Sequence, residues 1–188
     1  MVRLFVAVEI ENPQVLNEVM KVKAEVASCS RGRGIKVVED ENVHLTLRFL
    51  GEVPEQLVQD VVECLKPASS FTKFSMRIAG LGAFPSNARP RVIWVGVDEG
   101  AEELRALRNA LEPCLRRFGK PDRNRFVPHI TIARVKGSYD RTCLANVFSG
   151  YGDHVFGTSG VSSIKLKKSV LRPEGPIYTD LAVITLEG

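Results

Sequence analysis

Apolar residues change their spacing along the chain, and each change marks a predicted element. Residues 3–10 are rich in β-branched and aromatic side chains, which is typical of a buried strand. After Asn12 and Pro13, which favour a helix start, apolar residues recur at helical intervals of four, three and four: Val15, Val19, Val22 and Val26. Gly32 and Gly34 predict the end of this helix.

The rest of the chain continues in alternating strand and helix patterns. A strand is predicted around His44, followed by a helix over residues 53–66. Two extended segments are predicted between residues 71 and 97, separated by the loop "PSNARP". A helix over 100–119 follows, and Pro113 predicts a kink or a boundary in it. After a strand at His129, the pattern predicts a short helix at about 140–149 and two strands near 161–171 and 177–186.

One order of elements occurs twice. Strand, helix, basic loop and strand run from Arg3 to Leu47 and again from Arg91 to Ile132. This repeat predicts an α+β fold with two pseudo-symmetric lobes of antiparallel sheet and helices on the outer faces. The two histidine strands are expected to face each other across a cleft. With 188 residues, the chain suits a single two-lobed domain over 1–188.

Composition narrows the class of protein. No apolar run reaches the roughly 20 residues needed to span a bilayer, and the N-terminus lacks the pattern of a signal peptide. These features predict a cytoplasmic protein with no membrane partner, and we expect a monomer. The wide spacing of the four cysteines favours buried thiols over a disulfide framework or a zinc ligand set; they are Cys29, Cys64, Cys114 and Cys143.

Positive charge is clustered near the predicted histidine strands. The formal net charge of +4 and the pI near 9.0 suit a polyanionic partner. Each cluster taken singly is typical of a solvated face, but two of the three directly precede a histidine strand, which favours a phosphate-lined groove. The clusters are Arg31, Arg33 and Lys36; Arg116, Arg117, Lys120, Arg123 and Arg125; and Lys165, Lys167, Lys168 and Arg172.

Two strands carry the same polar pattern. Both "NVHLTLRFLG" (42–51) and "FVPHITIAR" (126–134) contain histidine, an apolar residue, threonine and a second apolar residue in succession. Because a strand sends alternate side chains to opposite faces, His44 and Thr46 share one face, as do His129 and Thr131. The apolar faces anchor the strands, and the polar faces are free to line a groove.

Two imidazoles and two hydroxyls suit phosphoryl chemistry without a metal or another cofactor. With an ordinary pKa of about 6.5, one histidine can act as base while the other, protonated, acts as acid. Threonine hydroxyls can donate hydrogen bonds to the non-bridging phosphate oxygens. We therefore expect His44 and His129 to be catalytic, Thr46 and Thr131 to bind the substrate, and no metal to be bound.

Other interpretations of these residues remain open. The histidines could be satisfied strand residues, or could bind a nucleotide or RNA without turnover; a zinc site lacks further ligands at the usual spacing. His154 stands alone and is predicted to be a surface or turn residue. Strand alternation places Arg48 on the His44 face, where it either binds phosphate or pairs with a carboxylate. It also places Phe49 in the core, and Trp94 is predicted there too.

The two motifs belong to a longer pattern. Together with "LFVAVEI", "GLGAFPSNARPRVIWVGV" and "SVLRPEGPIYTDLAVITL", they resemble the bacterial and archaeal RNA 2′,3′-cyclic phosphodiesterases, also called 2′-5′ RNA ligases, of the two-histidine phosphoesterase superfamily. The resemblance implies a bilobal α+β fold. It also implies hydrolysis of a 2′,3′-cyclic phosphate on an RNA end, tRNA fragments being one candidate, to a 2′-phosphate, and 2′-5′ ligation when the 5′-hydroxyl of a second RNA replaces water.

The resemblance implies individual roles as well. It makes His44 the acid that protonates the leaving 3′ oxygen and His129 the base that activates water, an assignment that the residues alone leave open. Thr46 and Thr131 become phosphate ligands, and Arg134 becomes a substrate-binding residue. Strand alternation places Arg134 opposite the His129 face, so this role requires the strand to end or twist first. A related enzyme for small cyclic phosphates or 2′-5′ oligoadenylates is the alternative.

Overall fold

The computed structural model describes all 188 residues as a curled antiparallel sheet of nine strands with four α-helices. The strands are β1 (Val2–Val8), β2 (Ile35–Val37), β3 (Leu45–Val53), β4 (Phe74–Pro85), β5 (Pro90–Val97), β6 (His129–Val135), β7 (Val155–Val161), β8 (Ser163–Val170) and β9 (Ile177–Thr185). The helices are α1 (Pro13–Ser28), α2 (Val58–Leu65), α3 (Ala101–Leu115) and α4 (Arg141–Tyr151). Short 3₁₀ turns occur at 40–42, 55–57 and 66–70.

The sheet consists of two halves that meet at β3 and β6. One half has the order β3, β1, β8, β9, and the other has β6, β5, β4, β7, with the short β2 added to β6. The join is narrow, since β3 and β6 are paired at one position, Leu45 with Ile130. The halves therefore form two lobes, which confirms the predicted α+β fold.

The two lobes exchange helices. α1 follows β1 of the first lobe but packs against β2, β6 and β7 of the second, where it also contacts α4. α3 follows β5 of the second lobe but packs on β3 of the first, beside α2. The repeated order of elements seen in the sequence is therefore real: in each repeat the first and last strands belong to one lobe and the helix packs on the other, while the short β2 of the first repeat joins the second lobe.

The predicted helical stripes fill the core between sheet and helices. All four valines of the α1 stripe are buried, as are Leu104, Leu107, Leu111 and Leu115 of α3. Pro113 lies in the last turn of α3, so the boundary that it predicts is confirmed. Forty buried residues form one hydrophobic cluster. None of the helices has the length and apolar character needed to cross a membrane.

The strand predicted near 161–171 is β8, and the strand before it, β7, was not predicted. The sequence of β7, "VFGTSGV", contains two glycines, which have low strand propensity, so the pattern gives little signal. Gly157 has a φ of +134°, and a Cβ there would lie 2.8 Å from Cγ2 of Val15. Glycine at this position thus allows α1 to pack closely on β7.

The prediction of buried free thiols is wrong, because the four cysteines form two disulfides. Cys29–Cys143 joins the end of α1 to α4, and Cys64–Cys114 joins α2 to α3. The partners are 114 and 50 residues apart in sequence. Only the exchanged packing of the helices brings them together, so their spacing along the chain could not reveal the pairs. Each lobe thus has one covalent link in its helical layer.

Reduction should destabilise the protein. Each crosslink lowers the conformational entropy of the unfolded chain, so we expect the loss of either disulfide to lower the free energy of unfolding by about 2–4 kcal/mol. The measurement is denaturant unfolding of the oxidised protein, the reduced protein, and the double variants Cys29→Ser/Cys143→Ser and Cys64→Ser/Cys114→Ser. Four free thiols in the non-reduced protein, or identical unfolding midpoints, would contradict the expectation.

Candidate active site

A groove of about 640 Å³ lies over the join between the lobes. It is lined by all five residues that the sequence singled out for the site: His44, Thr46, His129, Thr131 and Arg134. The fold thus brings together two motifs that are far apart in the chain.

The antiparallel register interleaves the two motifs. The one pair that joins β3 to β6 is formed by the residues between histidine and threonine in each motif. This register therefore sets His44 opposite Thr131 and Thr46 opposite His129. Opposite residues in antiparallel strands have Cβ atoms about 4.5–5.5 Å apart, and diagonal neighbours lie about 7–8 Å apart. The imidazoles are diagonal neighbours, an arrangement that suits two groups acting on one phosphate.

A β-bulge directly after the threonine of β6 breaks the strict alternation of side chains. Thr131 and Ala133 pair with consecutive residues of β5, so Ile132 is an extra residue. Ile132 and Ala133 are both buried, and the next residue, Arg134, lines the groove. The expectation that alternation places Arg134 on the face opposite His129 is therefore wrong, because the bulge shifts the pattern by one residue.

The first motif contains the same bulge. Thr46 and Arg48 pair with consecutive residues of β1, which leaves Leu47 as the extra residue. As a result Arg48 is 1% exposed and Phe49 is 44% exposed, the reverse of what alternation predicts. Phe49 lines the groove at the position that corresponds to Arg134 in the other motif. One lobe presents an aromatic ring where the other presents a guanidinium group.

Arg48 therefore has a structural role, and the prediction that it shares the His44 face is wrong. Its guanidinium group makes a two-point ion pair with Glu112 of α3, with distances of 2.8 Å from Nε to Oε2 and 3.1 Å from Nη2 to Oε1. It also donates to a backbone carbonyl of the loop 116–128. Arg108 binds the same loop through Asp122. These buried arginines fix the loop that leads directly into β6.

The His44 imidazole is held on three sides. Its Nδ1 lies 2.6 Å from the carbonyl oxygen of Asn42, which can only accept, so Nδ1 carries the hydrogen. Its Nε2 lies 2.9 Å from Oγ1 of Thr46. The ring stacks on Phe5 at a centroid distance of 4.9 Å and meets Tyr178 edge-on at 5.4 Å. These contacts fix both the tautomer and the orientation of the ring.

Asn42 connects His44 to the loop between β8 and β9. Its side-chain amide donates to the carbonyl oxygen of Pro176 at 2.8 Å and to Oε2 of Glu39 at 3.3 Å. The loop segment 171–176 lines the groove. The buried amide therefore anchors one wall of the groove, and its own carbonyl orients the imidazole.

His129 is held in the same way in the other lobe. Its Nδ1 lies 2.6 Å from the carbonyl oxygen of Val127, and Phe84 meets the ring edge-on at 5.0 Å. Trp94 is half-buried against Phe84 and His129 and lies outside the core cluster, so its predicted core position is wrong. Both histidines therefore carry Nδ1–H, and Nε2 of each neutral ring is an acceptor, which in His44 faces the hydroxyl of Thr46.

Burial disfavours the charged form of both imidazoles, so their pKa values are lower than in water. Burial lowers the pKa of His44, and Lys167 adds to this, while the hydrogen bond to the Asn42 carbonyl opposes it. Burial also lowers the pKa of His129, helped by the charge of Arg134 and opposed by the hydrogen bond to Val127. A bound phosphate anion would favour the charged imidazolium. The groove by itself therefore offers proton acceptors, and a bound phosphate would convert one of them into an acid.

The groove carries an excess of positive charge. Five cationic side chains line it, against the single carboxylate of Glu39: Arg3, Lys36, Arg134, Lys136 and Arg172. Lys36 and Arg134 are a cross-strand pair between β2 and β6, where like charges repel in the absence of an anion. The groove is therefore electrostatically suited to a phosphate.

The predicted basic clusters contribute unequally to the groove. Lys36 of the first cluster and Arg172 of the third line it. Lys165 and Lys167 instead form ion pairs with Glu9 and Asp180. The second cluster, in residues 116–125, does not line the groove.

His154 is exposed in the turn between α4 and β7, which confirms its predicted place. No group of three or more histidine, cysteine, aspartate or glutamate side chains is placed to hold a metal ion.

Several residues of the site were not found from the sequence. Phe5, Tyr178 and Phe84 contact the imidazoles from strands other than those that carry them, and Asn42 acts through a backbone carbonyl. A single sequence carries no signal for such cross-strand contacts. Only the second bulge had a sign in the sequence, because Arg134 is a charged residue at a position that alternation assigns to the apolar face.

Fold and groove together define a class of protein. The two lobes exchange helices, and each lobe presents one strand with the H-x-T-x pattern to a shared cationic groove. The imidazole of each strand is fixed at Nδ1. This combination defines a two-histidine phosphoesterase.

Comparison with known proteins identifies the family. The model described as LigT like Phosphoesterase matches the chain twice, over residues 8–94 and 95–178. The first match contains His44 and the second contains His129, in keeping with the internal repeat. The chain therefore belongs to the LigT-like phosphoesterase family.

Individual relatives agree with this assignment. The chain is 46% identical over 151 residues to the RNA 2′,3′-cyclic phosphodiesterase of Aeropyrum pernix, covering 80% of this chain and 85% of the relative. It is 38% identical over 181 residues to that of Archaeoglobus fulgidus, covering 96% and 98%. The crystal structure of TT0787 of Thermus thermophilus superposes with a TM-score of 0.81 at 31% identity, covering 99% and 98%. Escherichia coli LigT complexed with 3′-AMP shares the fold, with a TM-score of 0.79 at 23% identity, covering 100% and 99%.

The protonation of the two imidazoles can be measured directly. In the ligand-free protein, we expect both groove histidines to carry the neutral Nδ1–H form and to titrate below the usual value of about 6.5, because burial disfavours their charged form. Addition of inorganic phosphate should raise both pKa values. Long-range ¹H–¹⁵N NMR spectra recorded over a pH series, assigned with His44→Ala and His129→Ala, give the answer. An Nε2–H tautomer, or titration above the usual value without phosphate, would contradict this account.

Proposed function

We propose that this phosphoesterase hydrolyses a 2′,3′-cyclic phosphate at the end of RNA to a 2′-phosphate, with His44 and His129 as an acid and base pair. The observation that carries the proposal is the presentation of two Nε2 atoms, each fixed by a carbonyl at Nδ1, to one groove beside two threonines. The name of the relatives in A. pernix and A. fulgidus, RNA 2′,3′-cyclic phosphodiesterase, supports the substrate class.

In the proposed reaction, water attacks phosphorus while the bond from phosphorus to O3′ breaks. Nε2 of His129 accepts a proton from the water, and Nε2 of His44 donates a proton to O3′, which leaves as a hydroxyl group. The surroundings favour this assignment. His44 is enclosed by Phe5 and Tyr178, whereas Nδ1 of His129 bonds to the carbonyl oxygen of Val127, which is itself an exposed residue.

The other residues of the groove stabilise charge and position the nucleotide in this proposal. Thr46 and Thr131 donate to the non-bridging oxygens, and Arg134 contributes a positive charge as negative charge develops on them. Phe49 offers an exposed ring on which a base can stack. This division of roles follows from the two bulges, because they direct the Arg134 guanidinium group and the Phe49 ring towards the groove.

Ligation would use the same groups. If the 5′-hydroxyl of a second RNA takes the place of water, the same displacement forms a 2′-5′ phosphodiester and releases the same 3′-hydroxyl. Hydrolysis and ligation then differ only in the hydroxyl that attacks phosphorus. The single domain over 1–188, the monomeric state and the cytoplasmic location stay predictions.

Removal of either groove histidine should strongly reduce turnover. We expect His44→Ala and His129→Ala each to lower kcat on a 2′,3′-cyclic mononucleotide by about 10²–10⁴-fold, the usual contribution of a general acid or base. His154→Ala, which changes the exposed third histidine, is the matched control and should keep the parent rate. Thermal unfolding should show that all three variants fold.

Two outcomes would overturn the proposal. The first is full activity in either groove variant, because the acid and base pair would then be unnecessary. The second is an inactive parent protein that nevertheless binds the nucleotide, because the groove would then be a binding module.

A further inference from the structure

Three arginines surround a second depression at one end of the sheet. Arg89 and Arg91 flank the first residue of β5, and Arg141 begins α4; together with Tyr139 they line this depression. All three arginines are exposed. We call these four residues the arginine surface.

The charges of the arginine surface have no partner in the protein. None of the three guanidinium groups in the arginine surface forms an ion pair or donates a hydrogen bond within the protein, in contrast to the buried Arg48 and Arg108, which pair with carboxylates. The one acidic residue beside them in sequence, Asp140, accepts the backbone N–H of Cys143 and caps α4. Three uncompensated guanidinium groups thus converge on one depression.

The arginine surface is close in the chain to one end of the groove. Val92 of β5 pairs with the groove residue Arg134 of β6, and Arg91 is the residue before Val92. On β6, Lys136 also lines the groove and lies about 7 Å beyond Arg134 at the usual rise of a strand. Three residues later the chain reaches Tyr139. A strand of RNA that leaves the groove over Arg134 and Lys136 would therefore meet the arginine surface next.

The residue types fit single-stranded RNA. Guanidinium groups bind phosphate oxygens through two parallel hydrogen bonds, and aromatic rings stack on unpaired bases. Tyr139 is half-buried, with one side packed against the core and another lining the depression. Phosphate ligands and a stacking ring are therefore adjacent.

We propose that the arginine surface binds the nucleotides on the 5′ side of the cyclic phosphate, through their phosphates and one stacked base. This inference rests on the proposed function and extends it. It means that the enzyme recognises an RNA strand, and that a mononucleotide uses only part of the binding site.

The test compares a cyclic mononucleotide with an RNA oligonucleotide. The triple variant Arg89→Ala/Arg91→Ala/Arg141→Ala removes the charge of the arginine surface. The control Lys21→Ala/Lys66→Ala/Lys73→Ala removes the same charge from exposed residues that line neither the groove nor the depression. Turnover is measured on a 2′,3′-cyclic mononucleotide. Fluorescence anisotropy measures the Kd of a labelled oligonucleotide with a 2′-phosphate end at several KCl concentrations.

We expect mononucleotide turnover by the arginine variant to stay within about twofold of the parent, and its oligonucleotide Kd to rise about tenfold or more at low salt. The slope of log Kd against log salt should fall by about 2, since each phosphate contact on a single strand contributes about 0.7. The lysine control should match the parent in all three quantities.

Failure of this inference is distinguishable from failure of the proposed function. Equal Kd values and salt slopes in the arginine variant and the lysine control would overturn the arginine surface as an RNA site. Absence of mononucleotide turnover in the parent protein would instead overturn the proposed function, and the anisotropy measurement, which needs no turnover, would still decide the RNA site.

Discussion

The pairing of Leu45 with Ile130 is the contact on which the site depends. It is the one place where the two lobes share a ladder, and it sets each histidine opposite the threonine of the other motif. A slip of one residue would turn the polar set of one strand into its core. The leucine and isoleucine, both fully buried, therefore hold the register that places two imidazoles in one groove.

The same few contacts explain the chemistry of the groove. A backbone carbonyl at each Nδ1 fixes the tautomer, and burial among aromatic rings lowers the pKa of both imidazoles. The positive side chains around the groove compensate for this, because a phosphate drawn in by them supplies the negative charge that stabilises an imidazolium. In the proposed reaction, substrate binding and the supply of a proton would thus be coupled in a single site.

The sequence predicted the fold class and five residues that line one groove, because both follow from short-range patterns. Hydrophobic periodicity located the helices, and the doubled H-x-T-x pattern located the groove. Prediction from the sequence failed where side-chain orientation or pairing depends on contacts between distant segments. The bulges at Leu47 and Ile132 reversed the predicted faces of Arg48, Phe49 and Arg134. The exchange of helices paired the cysteines, and no spacing along the chain records which helices become neighbours.

The central claim is that paired histidines open a 2′,3′-cyclic phosphate by breaking the bond to O3′. The most direct measurement is product analysis, by ³¹P NMR, of a short RNA that ends in such a phosphate after incubation with the protein. This account predicts a terminal 2′-phosphate as the product. A terminal 3′-phosphate would show that the other bond is broken, and an unchanged cyclic phosphate would show that the groove binds RNA ends without acting on them; either result would contradict the account.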